Sequence, residues 1–209
     1  MNEAPAVRLT LLHVDAHLLL VDKPSGLLTV PAKPPGEQDC LESRLREAFP
    51  EALLVHRLDR DTSGVIVFAR SRLAQRHLGW QFERRQVCKR YVARVAGTVD
   101  GESGRIELPL ACDWPNRPRQ MVTPLGRPAR TDWAVIGREP GATRLRLAPL
   151  TGRSHQLRVH LAAFGHPILG DAFYGDPGAA DRLQLHAECL GFRHPDGGAP
   201  VTFGTPVPF

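Results

Sequence analysis

Apolar positions in this chain fall into short runs separated by polar turns. His17-Leu18-Leu19-Leu20-Val21 and Gly64-Val65-Ile66-Val67-Phe68-Ala69 are continuous apolar stretches of strand length, as buried strands show. Tyr91-Val92-Ala93-Arg94-Val95 and Arg144-Leu145-Arg146-Leu147 alternate, which predicts half-buried strands, and Thr131 to Ile136 is a further strand. Three stretches have helical spacing. Asp39 is placed to cap a helix running to Phe49, with Glu42 completing a capping box, Leu41, Leu45 and Phe49 on one face, and Pro50 beyond the end. Ser71 caps a second helix with Ala74, Leu78 and Phe82 in line, although Gly79 weakens it. Thr151 caps a third, in which Leu157, Leu161 and Phe164 align and Gly165 ends the helix. Many strands with a few helices between them predict an α+β fold, with one mixed or largely antiparallel sheet flanked by helices and loops.

Pro31 to Gly36, Asp113 to Pro118 and Pro124 to Pro128 read as surface loops, and the tail from Gly197 to Phe209 as only partly ordered. There is no internal repeat. The 209 residues, 42% of them apolar, suffice for one domain with a real core, taken as residues 1–209, and leave a second full domain cramped.

Charge narrows the partners. The formal net charge is +5, and lysine occurs only at Lys23, Lys33 and Lys89, so arginine carries the excess. Arginine binds phosphate bidentately and stacks on bases, which fits nucleic acid; a basic surface without a polyanion partner fits the charge as well. Cys40, Cys88, Cys112 and Cys189 form no CxxC pair, so no zinc ribbon or thioredoxin-type site is expected. Met1 to Thr10 has no apolar signal core, and no run approaches membrane-spanning length. The expectation is a reduced, soluble, cytoplasmic protein, monomeric by default, with no metal.

Four segments carry candidate chemistry. Arg57 to Ser63 is a polar turn between apolar strands and holds Asp59 and Asp61; it reads equally well as a site and as an ordinary solvated turn. In Thr151-Gly152-Arg153-Ser154-His155-Gln156-Leu157-Arg158, a helix capped by Thr151 puts Arg153 in its first turn, where the helix dipole opposes a cation and a carboxylate or phosphate should compensate. His155 and His160 are not at metal-pair spacing, and both, like His166, read as structural. Tyr91 lies on a basic strand, where it is either a base-stacking face or a core aromatic. Val21 to Gly26 is a strand running into a turn, with no evident chemistry of its own.

Taken together, VDKPSGLLTVP, HRLDRDTSGVIVFA, KRYVARVAG and TGRSHQLRVHLAAFGHPILGDAFYG, followed by LQLHAECLGFRHP, resemble the RluA-type family of pseudouridine synthases, in the family's order. CDWPNRPRQMV followed by GRPARTDWAVI resembles the branch of that family that modifies both tRNA and 23S rRNA. The resemblance implies the pseudouridine synthase fold, a motif-bearing core over about residues 17–194, and no N-terminal S4 RNA-binding domain.

It also implies roles. Asp59 matches the catalytic aspartate, Tyr91 the aromatic that stacks on the target base, and Arg153 the arginine that pairs with the catalytic carboxylate. Arg57 matches an arginine that fills the gap left by the flipped base, and His56, Arg60, Lys89, Arg117, Arg119 and Arg158 are expected to contact RNA. The expected partners are uridine-containing stem-loops of tRNA and 23S rRNA, and the isomerisation needs no redox cofactor. Three alternatives stand beside this: a synthase acting on one RNA only, a non-catalytic RNA-binding module, and a hydrolase pairing Asp59 with Asp61. The last fits poorly, because carboxylates two apart in a turn seldom reach the separation glycosidases use.

Overall fold

The computed structural model describes residues 9–33 and 36–209. Pro34 and Pro35 of the first predicted loop, and most of the N-terminal segment read for a signal, lie outside the described residues. The strands and helices follow in the order β1 (Thr10–Val14), β2 (Leu18–Lys23), α1 (Leu41–Ala48), β3 (Leu53–Leu54), β4 (Ser63–Ala69), α2 (Arg72–Glu83), β5 (Cys88–Ala96), β6 (Ser103–Glu107), β7 (Leu110–Cys112), β8 (Gln120–Val122), β9 (Arg130–Glu139), β10 (Ala142–Pro149), α3 (Gln156–Ala163), β11 (Leu185–Arg193) and β12 (Pro200–Gly204).

One mixed sheet runs β1-β2-β4-β11-β5-β10-β9-β6, with β3 on β4 and β12 on β11, while β7 and β8 form a separate two-stranded hairpin. Among the described residues every strand pairing is antiparallel except β4 with β11, which is parallel over His186↔Ser63 and Ala187↔Gly64. The expected α+β architecture is therefore present.

The apolar runs of β2 and β4 follow from burial on both faces. Leu18, Leu20, Val65 and Val67 pack with Ala74 and Leu78 of α2. The alternate residues Leu19, Val21, Ile66 and Phe68 pack with Leu41 and Leu45 of α1. A second core, built on Ala93, Val95, Leu145 and Leu147, is closed by Leu157 and Leu161 of α3. Tyr91 packs against both the α1-side core and the α3-side core. It stands on the seam between the halves of the molecule.

Ser71 caps α2 as expected, its side chain accepting from Ala74 N. Helix α1 is capped one residue later than expected. Cys40 Sγ accepts from Ser43 N, and Ser43 Oγ accepts from Cys40 N. Asp39 is occupied by Arg44 at 2.7 Å, and Glu42 pairs with Arg46 at 2.9 Å. Helix α3 begins at Gln156, after a left-handed His155, because the Thr151 hydroxyl is engaged elsewhere: it accepts from Arg130 N and donates to Gln156 Oε1. The tail is tied down rather than partly ordered. Residues Pro200–Gly204 pair with β11, and Phe209 O accepts from Arg144.

Gly64 sits where β4 meets β11, at φ +114, and a Cβ there would lie 2.3 Å from Ala187 O. Both the positive φ and the backbone approach exclude a side chain. Gly64→Ala is expected to destabilise the fold by about 3 kcal/mol or more, read as a lowered urea midpoint; an unchanged midpoint would show that the junction relaxes freely.

Candidate active site

The turn carrying Asp59 is held from behind by the segment that showed no chemistry of its own. Lys23, fully buried at the end of β2, donates from Nζ to Arg60 O and Leu27 O at 2.7 Å and to Pro24 O at 2.9 Å. Ser25 Oγ donates to Asp61 O, Gly26 N to Arg60 O, and Thr29 Oγ1 to Leu58 O. Thr62 N closes the turn onto Asp59 O. Burial lowers the Lys23 ammonium to about 7, opposed by the negative charges of Asp61 and Asp59.

Asp59 thereby projects into a cavity of about 330 Å³ whose walls include Arg57, Tyr91, Thr151, His155 and Arg158. Its carboxylate lies 3.9 Å from Nη1 of Arg158. Arg158 is 2% exposed and clamped by Asp171, which is fully buried: Nε meets Oδ2 at 2.7 Å and Nη2 meets Oδ1 at 2.6 Å. Asp171 Oδ1 also accepts from the backbone N–H groups of Phe173 and Tyr174. Arg158 is raised above its ordinary pKa: burial works against its charge, and the hydrogen bonds and charges of Asp171, with Asp59, outweigh burial. The pair therefore stays ionised, with one guanidinium nitrogen facing Asp59.

The other walls are ordered too. The Tyr174 hydroxyl accepts from Gln120 N of β8 and bonds His155 Nδ1 at 2.7 Å, linking the β7–β8 hairpin to the cavity. Burial lowers the His155 pKa, with Asp59 opposing. Tyr91 is half-buried, and desolvation together with the charge of Asp59 pushes its hydroxyl pKa up, so the phenol stays protonated.

Several residues lie elsewhere than the sequence suggested. Arg153 makes no ion pair with Asp59 among the described residues; its Nε donates to Pro128 O, and it precedes α3 instead of lying in its first turn. The first-turn cation is Arg158, turned inward to two carboxylates rather than outward to RNA. His56 also turns inward. It stacks on Phe82 at 4.5 Å, Nε2 accepts from Val67 N, and burial lowers its pKa to about 3, so it carries no charge for phosphate.

Arg57 is exposed on the cavity rim, and Lys89 donates to Thr151 O from the same wall. Arg60 bonds Gly26 O and lies 3.5 Å from Glu37. Arg117 lies over Trp114 at 3.3 Å, and Arg119 over Tyr174 at 5.6 Å, both on the hairpin side. His160 and His166 are structural as expected, bonded to Thr131 and Leu108 O, and to Ala96 O, respectively. His155, read as structural, instead lines the cavity. Lys23, Asp171 and Tyr174 were missed as site residues; the signal available was the paired Arg158 and Gly170-Asp171 in one resembling stretch.

A family model described as RNA pseudouridylate synthase matches residues 17–163. The chain belongs to the RNA pseudouridylate synthase family. Relatives of this synthase include the dual-specificity RNA pseudouridine synthase RluA of Yersinia pestis, 52% identical over 92% of this chain and 96% of that protein. The protein of the same name from Escherichia coli K12 is 49% identical over 96% of this chain and 94% of its own. Among solved structures, human RNA pseudouridylate synthase domain containing 1 superposes with a TM-score of 0.81 at 28% identity, covering all of this chain (100%) and 87% of the human one.

Two outcomes follow for the synthase. Asp171→Asn leaves Arg158 buried without its counter-charge, and unfolding should be easier by about 3–5 kcal/mol in urea titrations; a loss below about 1 kcal/mol would show that Asp59 suffices as partner. His56 has a folded pKa near 3, below its unfolded value of 6.5. The unfolded state therefore binds the extra proton between those values, and stability present above pH 6.5 is lost as pH falls toward 3. Melting curves of His56→Gln should show a smaller drop in Tm from pH 7.5 to pH 4.5 than wild type, whereas an equal drop would assign the acid sensitivity to other groups.

Proposed function

We propose that this synthase isomerises uridines in both a tRNA anticodon stem-loop and 23S rRNA, with Asp59 as nucleophile. The observation that carries the reading is the Asp59 carboxylate facing the inward-turned Arg158 at 3.9 Å in a cavity that Tyr91 also lines. Pseudouridylation breaks the bond from uracil N1 to C1′, turns the base, and joins C5 to C1′. C5 loses a proton and N1 gains one, so no electrons are exchanged. The reaction needs an ionised carboxylate at C1′ or at the base, and Arg158 presents a buried guanidinium nitrogen 3.9 Å from that of Asp59. A stacked uridine cannot reach the cavity, so it is flipped out of the RNA. Tyr91 then offers a stacking face and, being protonated, a donor but not a base. Arg57, exposed on the rim, fills the space the base vacates in this reading.

The two-substrate reading rests on the names of the relatives from Yersinia pestis and Escherichia coli, and on the segment CDWPNRPRQMV, which forms the β7–β8 hairpin. Its tip presents Trp114, 68% exposed beneath Arg117, an aromatic and a cation available to an unpaired base. Recognition of two RNAs by one protein calls for reading a shared loop shape more than a long sequence.

The test is tritium release from RNA carrying 5-tritiated uridine, run separately on an anticodon stem-loop and a 23S fragment. Wild type should release tritium from both, and Asp59→Asn from neither while still binding each RNA. Normal release by Asp59→Asn sinks the nucleophile assignment; release from one RNA alone sinks dual specificity.

A further inference from the structure

Beside the Asp59 cavity lies a groove of about 780 Å³ that shares Lys89, Thr151 and Arg153 with it. Arg85, Arg127 and Arg130 line the rest, with Glu83 as its carboxylate. On the sheet faces Arg90, Arg94, Arg105, Arg138 and Arg144 each meet a carboxylate within salt-bridge distance. In the groove Arg130 reaches Glu107 at 3.4 Å, but Arg85, Arg127 and Arg153 meet none among the described residues. Three guanidiniums lining one groove with no salt-bridged carboxylate repel one another, and a bound anion removes that cost. Burial, then the charges of Arg127 and Arg85, lowers the Arg153 pKa from its ordinary value.

Backbone geometry gives a second, independent sign. Arg85 is held in the left-handed region at φ 58, at the end of α2, with its N–H bonded to Phe82 O and that of Gln86 to Gln81 O. Glycine is the usual residue there, and a side chain adds strain. A strained arginine at a position that suits glycine points to a use for its side chain.

We propose that Arg85, Arg127 and Arg153 form a phosphate site that grips the RNA strand beside the flipped uridine. The ligand is one phosphodiester, or two successive ones, of the strand leaving the Asp59 cavity along the groove. The inference rests on the reading of that cavity as the uridine site.

Arg85→Gly separates binding from folding, because it relieves the strain while removing the cation. Its Tm should equal or exceed that of wild type, while Kd for the stem-loop rises about tenfold. The slope of log Kd against log salt should fall by about 0.7–0.9 for a lost contact. Arg153→Gln should do the same to the slope, and Arg72→Gln, on the exposed start of α2, should leave it unmoved. Stem-loops with a single methylphosphonate near the target uridine locate the contact. At one position wild type should lose about tenfold in affinity and Arg85→Gly nothing further.

Wild-type affinity and salt slope in both Arg85→Gly and Arg153→Gln would overturn the phosphate site, as would additive losses at every methylphosphonate. Absence of tritium release by wild type itself would instead strike the reading of the cavity, independently of the salt slopes.

Discussion

A buried arginine with a carboxylate on either side organises this molecule. Removing a guanidinium from water costs several kcal/mol unless its hydrogen bonds and charge are met inside. Asp171 meets them bidentately, and the same carboxylate accepts the N–H groups of Phe173 and Tyr174. Arg158 is thereby fixed in direction, and the nitrogen left over faces Asp59 at 3.9 Å. The start of α3, the chain from Gly170 to Gly175 and the Asp59 turn are all referred to that one group. Tyr91, on the seam of two cores, lines the same cavity.

The Asp59 turn needs a second constraint, because a polar loop between buried strands is otherwise free to move. Lys23 supplies it, placing an ammonium among three backbone carbonyls, one of them in the turn itself. The parallel junction of β4 with β11 then anchors the far end of the turn at Ser63 and Gly64. Ser63 is also bonded by His186 and Arg182. The carboxylate therefore sits between elements from the beginning, middle and end of the chain.

Much of the fold was legible in the sequence. Strands β2 and β4 are buried on both faces, so their apolar runs are unbroken, and α2 announces itself through Ser71 and the line of Ala74 and Leu78. The capping residues of α1 and α3 were misread because side-chain competition decides them: Arg44 takes Asp39, and Arg130 with Gln156 takes Thr151. That competition is tertiary and leaves no local trace. A cation near the start of α3 does meet carboxylates, but the true helix start makes it Arg158 rather than Arg153. The bracing role of Lys23 was likewise invisible, since the acceptor that ties it to the Asp59 turn, Arg60 O, becomes its neighbour only on folding. The C-terminal tail, rich in proline and glycine, is ordered because β11 offers it a free edge where β4 diverges.

The central claim is that Arg158, fixed in direction by Asp171, positions Asp59 for reaction. Single-turnover conversion of a saturating stem-loop by Arg158→Lys tests it most directly, because lysine keeps the charge and loses the planar fork held by Asp171. The account predicts a rate lowered about a hundredfold or more, the order seen when one aimed donor leaves an active site, with RNA affinity unchanged. A wild-type rate in that protein would contradict it.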